Sequence, residues 1–199
     1  MDTASVDPNQ FIHVRMVLSM VVSLSIARLL SGFARFAQHP GRLKAYGVHL
    51  LWALHMLILL IHFWWWEFAL SRLGPWHFGQ FAFVVGYSAT LYLLCAILFP
   101  DDIAEYRGYR DYFMSRRKWF FGVMAIVLLL DVGDTWLKGV PYLRAQGPEY
   151  LVKTVVGVVF YVMAPFVDAP RFHVALVWTS LAYQAWWILR LYDVLGVRP

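Results

Sequence analysis

The chain has 199 residues, 61% of them apolar and only 15% charged, with a formal net charge of +5. Soluble domains carry about 25% charged residues, so this composition excludes an ordinary soluble domain and points to the bilayer. The positive charge is not read as nucleic-acid binding, because most basic residues fall between apolar runs, where topology and anionic lipid explain them.

One cysteine, Cys95, lies inside an apolar run. An intrachain disulfide is therefore excluded, and a cysteine-based metal site is not expected. The first ten residues are polar and acidic. They lack the basic region of a cleaved signal, so the first helix is expected to remain.

A spanning helix needs roughly 20 mostly apolar residues to cross a hydrocarbon core of about 30 Å. Six runs suit this, at about 11–36, 48–70, 78–99, 119–137, 150–167 and 172–195. Turn residues separate them, including His39-Pro40-Gly41, Gly74-Pro75, Pro100-Asp101 and Asp168-Ala169-Pro170. The fifth run is interrupted by Lys153 and Pro165. The expectation is one all-α domain over residues 1–199, a six-helix transmembrane bundle with short loops. Nine Lys and Arg fall in the loops after spans 1, 3 and 5, against six on the other side. By the positive-inside rule both termini are expected outside, in a bacterial inner or plasma membrane.

The first span carries Arg15, Ser19, Ser23, Ala27 and Ser31 on one stripe. Small residues at this spacing let helices approach closely in lipid, so the stripe is expected to be the packed face. Arg28 lies toward the inner end and is expected to snorkel to the surface.

The second span holds three histidines, His49, His55 and His62, before Trp64-Trp65-Trp66-Glu67. His55 and His62 share a helix face with Leu59 and Trp66 close by. The tryptophans suit a headgroup boundary. Glu67 is either an interfacial carboxylate or a buried one that needs a partner.

Residues 100–118 read as an amphipathic cytoplasmic loop. Asp101 or Asp102 is expected to cap a short helix with Ile103, Tyr106 and Phe113 on its interfacial side. Arg116-Arg117-Lys118 would then meet anionic headgroups.

In the fourth span Asp131 and Asp134 share a face, and Lys138 follows Asp134 at the i,i+4 spacing that favours an ion pair. Asp131 lies a turn deeper and would need a proton or a basic partner. The sixth span carries Ser180, Tyr183, Gln184, Trp187 and Arg190 on one stripe. Such a stripe lines a polar cavity or makes interhelical hydrogen bonds.

In a six-pass arrangement Arg15, His62, Glu67, Asp131, Asp134, Gln184 and Arg190 gather at one end, with His13 and Lys153 near them. Carboxylates and histidines at membrane depth suit proton relay or cation coupling, or else structural ion pairs. The leading expectation is a channel or transporter for an ion or small solute, with proton linkage as one form of it, acting with the bilayer as a homo-oligomer or beside a membrane-protein partner. The alternative is a non-catalytic accessory subunit of a larger complex. An enzyme is the less expected class, and no catalytic residue is assigned. No metal or cofactor is expected, since no His-x-x-x-His spacing occurs. Haem b is the cofactor alternative, with His49 opposing His173 or His62 opposing His13. A Ser88–His173 dyad is not expected, because the serine is mid-span and the histidine opens its helix.

Overall fold

The computed structural model describes residues 10–39 and 44–191. The polar N-terminal stretch, the turn at 40–43 and the end of the sixth expected span fall outside these residues. Among the described residues the chain is helical and contains no strand. Helix α1 runs Gln10–Gln38 and α2 runs Gly47–Trp66, continued by a 3-10 segment Glu67–Arg72. Helix α3 is Phe78–Leu98 and α4 is Tyr109–Leu137. A short α5, Val140–Ala145, lies in a connection expected to be plain loop. Helix α6 is Pro148–Met163 with a 3-10 end Ala164–Phe166, and α7 is Pro170–Leu191.

The ends follow from local chemistry. Helix α3 opens with a reciprocal cap, in which the His77 backbone N–H donates to Gln80 Oε1 at 2.9 Å. Prolines 148 and 170 occupy first turns, where no intrahelical N–H is needed. Gly108 precedes α4 at φ +136°, a backbone region that L side chains rarely adopt.

Among the described residues five segments are long and apolar enough to cross a membrane: α1, α2 with its 3-10 continuation, α3, α4, and α6 with its own. Helix α7 has 22 residues but is not among the five. Its Arg171, His173, Gln184 and indole and phenol side chains dilute its apolarity. The sequence count of six therefore stands at five on this criterion.

Helix α2 is the centre of the bundle and packs on α1, α3, α4 and α7. Helix α3 also packs on α1 and α4, and α4 packs on α6. The core is strongly aromatic. Trp52 is fully buried and meets Phe120, Phe121 and Tyr161 edge-on at 5.4–5.9 Å. Such edge contacts add to area burial by about 0.5–1.5 kcal/mol per pair.

Two expectations are corrected here. The small-residue stripe is not the packed face of α1. Ser23, Ala27 and Ser31 are exposed and Ser19 is half-buried. The helix instead buries Val14, Leu18, Val22, Ser25, Leu29 and Gly32, the neighbouring face, which removes far more apolar area. The second concerns residues 100–118. Residues 103–108 form no helix, and the Asp102 carboxylate accepts only the Ala104 N–H at 2.8 Å. Helix α4 begins at Tyr109, inside the expected loop. Tyr109, Tyr112 and Phe113 are buried in the core rather than laid on a membrane surface. Tyr109 and Phe113 pack against Phe36, Tyr46 and His49, and this burial carries the helix nearly three turns beyond its apolar run.

Candidate functional site

Lys138 joins two helices at the end where α2 and α4 finish. Its ammonium donates to Glu67 Oε1 at 2.9 Å and to Asp134 Oδ2. The Trp66 indole N–H donates to the same Asp134 oxygen at 2.6 Å. All three charged side chains are at most 5% exposed. The sequence pair Asp134–Lys138 is present, and Glu67 is a buried carboxylate with a partner rather than an interfacial one. A charge at this depth is tolerable only with such a partner.

Asp131, one turn deeper, has a second set of partners. The Tyr150 hydroxyl lies 3.0 Å from its Oδ2 and 2.9 Å from Thr135 Oγ1. Lys153 approaches the same carboxylate at 3.6 Å, and its ammonium also lies over the rings of Tyr150 and Trp187. On the rim Arg190 pairs with Glu149 at 2.6 Å.

Between α2, α4, α6 and α7 lies a cavity of about 450 Å³, within the usual range of about 300–1,000 Å³ for small-molecule sites. Packed pairs close three sides: α2 on α4, α4 on α6, and α2 on α7. The consecutive helices α6 and α7 are instead bridged by side chains, with Tyr161 and Ser180 hydroxyls 3.3 Å apart and Tyr150 beside Trp187. The cavity is lined by the predicted His55–His62 face of α2 and by Asp131 of α4. From α7 come Ser180, Tyr183, Gln184 and Trp187, the stripe read from sequence without its Arg190. The remaining wall is largely aliphatic, for example Leu59, Val127, Leu128, Val156 and Leu176. Gly157 of α6 admits a close approach to α4, since a β-carbon there would stand 2.7 Å from the Leu128 side chain.

Of the predicted site residues, the structure brings together His62, Asp131 and Gln184 around the cavity and Glu67 and Asp134 around Lys138. Arg190 holds the rim through Glu149. Arg15 stands apart, its guanidinium 4.3 Å over the Trp64 ring and 3.9 Å over that of Phe68. His13 is exposed. At the opposite end Arg28 reaches the connection after α3, donating to Phe99 O at 2.7 Å and pairing with Asp101 at 2.7 Å. Sequence reasoning missed Lys138 as a partner of Glu67, and it missed Tyr150, Thr135 and the Trp66 indole. The Trp66 indole donates across to Asp134 of α4, a pairing that its place beside Glu67 in the sequence does not signal.

His49, His173 and Ser88 are engaged with the backbone. His49 Nε2 lies 2.6 Å from Leu98 O and His173 Nε2 lies 2.8 Å from Val167 O. The Ser88 hydroxyl donates to Val85 O at 2.8 Å. Among the described residues no three His, Cys, Asp or Glu side chains gather as a metal-binding group. Compared with known protein families, curated proteins and solved structures, the chain matches none.

Proposed function

We propose that this chain is a multi-pass membrane carrier for a small solute, with the α2–α4–α6–α7 cavity as its binding chamber. The observation that carries this reading is a cavity of about 450 Å³ whose polar groups come from all four surrounding helices, α2, α4, α6 and α7, and whose α6–α7 side is bridged by side chains. In this reading α7 is a sixth span, both termini lie outside, and the host is a bacterial inner or plasma membrane. The basic residues of the 1–2, 3–4 and 5–6 connections support that orientation. The Glu67–Lys138–Asp134 cluster is the fixed end of the bundle. Asp131 touches both the cavity and the ion pairs, and it is the group on which proton coupling would act.

A second reading has its own observation. The loosely bridged side between α6 and α7 also suits a helix of a partner, as an accessory subunit would need. Native mass spectrometry of the gently extracted protein separates the two. A homo-oligomer that releases a small molecule supports the carrier. That molecule is then loaded into proteoliposomes, where Asp131→Asn is expected to slow its exchange at least about tenfold, the effect of about 1.4 kcal/mol. A stoichiometric protein partner in place of the small molecule overturns the carrier reading.

A further inference from the structure

The cavity's chemistry narrows what it holds, an inference that rests on the binding-chamber reading above. Consider first its charges. Asp131, Lys153 and Glu149 are the carboxyl and amine side chains among its lining residues. Asp131 and Lys153 pair with each other at 3.6 Å, and Glu149 pairs with Arg190 at 2.6 Å. No net charge is left over for an ionic solute. Binding an anion or a cation beside Asp131 and Lys153 would mean breaking a pair whose side chains are about four-fifths enclosed, which is costly.

Consider next the neutral polar groups. Gln184 is 8% exposed and lines the cavity, and neither its amide oxygen nor its amide nitrogen meets a described partner. The Tyr183 hydroxyl is likewise without one. His55, 6% exposed, lines the cavity with its Nδ1 unpartnered. Leaving a buried amide unmatched forfeits the hydrogen bonds it made to water. Pre-formed sites accept that cost where a ligand supplies the missing bonds. An amide offers a donor and an acceptor side by side, and a hydroxyl offers both in one group. Together they match an uncharged head bearing hydroxyl and carbonyl oxygens.

The walls give the remainder. Leu59, Val127, Leu128, Val156 and Leu176 surround the space with aliphatic carbon. Between α6 and α7 the lining residues Val152, Val156, Phe160 and Trp186 are also exposed on the outside of the bundle, and in the proposed bundle this side would face lipid. A molecule with an apolar body and a polar head would enter from the bilayer without crossing water.

We propose that the cavity binds a bilayer-dissolved lipophile with an uncharged hydroxyl- and carbonyl-bearing head, the head on Gln184 and Tyr183 and the apolar body between α6 and α7.

The test uses the full chain in phosphatidylcholine vesicles and three photoactivatable probes sharing one diazirine-labelled acyl chain. These are a monoacylglycerol (neutral head), the free fatty acid (anion) and the alkylamine (cation). Crosslinked positions are read by peptide mass spectrometry. The expected result is monoacylglycerol labelling of α6 and α7 peptides around Val156 and Leu176. It should exceed labelling by either charged probe at least tenfold and be competed by unlabelled monoacylglycerol. Gln184→Leu should lower this labelling at least tenfold while the thermal midpoint stays level or rises, because the substitution removes an unmatched buried amide. That pairing separates lost recognition from lost fold. Tyr183→Phe, which deletes only the hydroxyl, should lower labelling less.

Preferential cavity labelling by the fatty acid or the amine overturns the neutral-head proposal and leaves the binding chamber standing. Monoacylglycerol labelling that Gln184→Leu does not change also overturns it. Absence of labelling at α6 and α7 by all three probes overturns both.

Discussion

The two ends of the bundle handle charge in opposite ways. Where α2 and α4 finish, Lys138 holds Glu67 and Asp134 with all three side chains enclosed. At the other end the cations are anchored and the anions are wet. Arg28 pairs with Asp101 and Arg117 with Asp168, and those carboxylates are 87% and 83% exposed. The same residue types therefore do different work. An enclosed charge is tolerated only while its partner is present, and removing one partner leaves the other stranded. An exposed pair ties a connection to a helix, but water competes with it and its net contribution is small. The lesson concerns fragility. The enclosed end fails abruptly when one residue changes, whereas the wet end loses its ties one at a time.

The largest expected effect tests that asymmetry directly. Lys138→Met strands two enclosed carboxylates and removes the ammonium from Trp66 as well. We expect a loss of about 3–5 kcal/mol, the usual result of breaking one side of a buried pair. The readout is the thermal unfolding midpoint in detergent. The triple variant Glu67→Gln, Asp134→Asn, Lys138→Met removes every charge of the cluster together and should recover most of the loss. A triple variant as unstable as the single one would show that Lys138 matters through packing rather than through its charge.

This end also shows how far the sequence could be read. Asp134 and Lys138 are four apart on one helix, so their pairing follows from helix geometry alone. The part played by Glu67 does not follow, since it depends on the ends of α2 and α4 meeting in space. The Ser180–Trp187 stripe was legible as one surface for the same local reason, but sequence left open whether it lines a cavity or bonds to another helix, and it does both. What fills the opposite wall was not legible, because Lys153 and Val156 come from a helix that the sequence orders only through tertiary packing. The α1 stripe misled for a related reason. Two neighbouring faces of that helix both have a plausible period, and the Leu- and Val-bearing face wins on apolar area. At 109–118 the charges of Arg116-Arg117-Lys118 suggested a loop, yet charges on one side of a helix do not prevent Tyr109, Tyr112 and Phe113 from burying on the other.

The second prediction moves to the wet end and asks whether packing, rather than charge, holds it. A β-carbon at Gly32 would stand 2.3 Å from the Phe99 ring, and Phe99 is fully buried. Gly32→Ala should therefore cost about 1–3 kcal/mol by overpacking, against the gain of about 1 kcal/mol that alanine normally brings to a helix. Gly122 is the internal control. It is helical and exposed, and nothing lies within 4 Å of an added β-carbon. Gly122→Ala should leave the midpoint unchanged or raise it. Equal effects at the two positions would mean that α1 yields around Phe99.

The smallest effect is electrostatic, and its sign can be fixed in advance. The hydrogen bond and charge of Arg28, with a further contribution from Arg35, hold the Asp101 carboxyl below its ordinary value. That ordinary value, about 3.9, is what the unfolded chain returns to. A carboxyl depressed in the folded state contributes stability that is fully present above the unfolded value and is lost as pH falls through the folded one. The midpoint difference between the native chain and Asp101→Asn should thus be constant from about pH 7 to about pH 5 and vanish only below about pH 4. Because Asp101 is solvent-exposed, the difference should also shrink when salt is raised to about 1 M, where screening acts over roughly 3 Å. At the same pH values the Lys138→Met deficit should not shrink with salt, because its charges are enclosed. If both differences respond equally to salt, the contrast between a dry end and a wet end is wrong, and the cluster around Lys138 is reached by water.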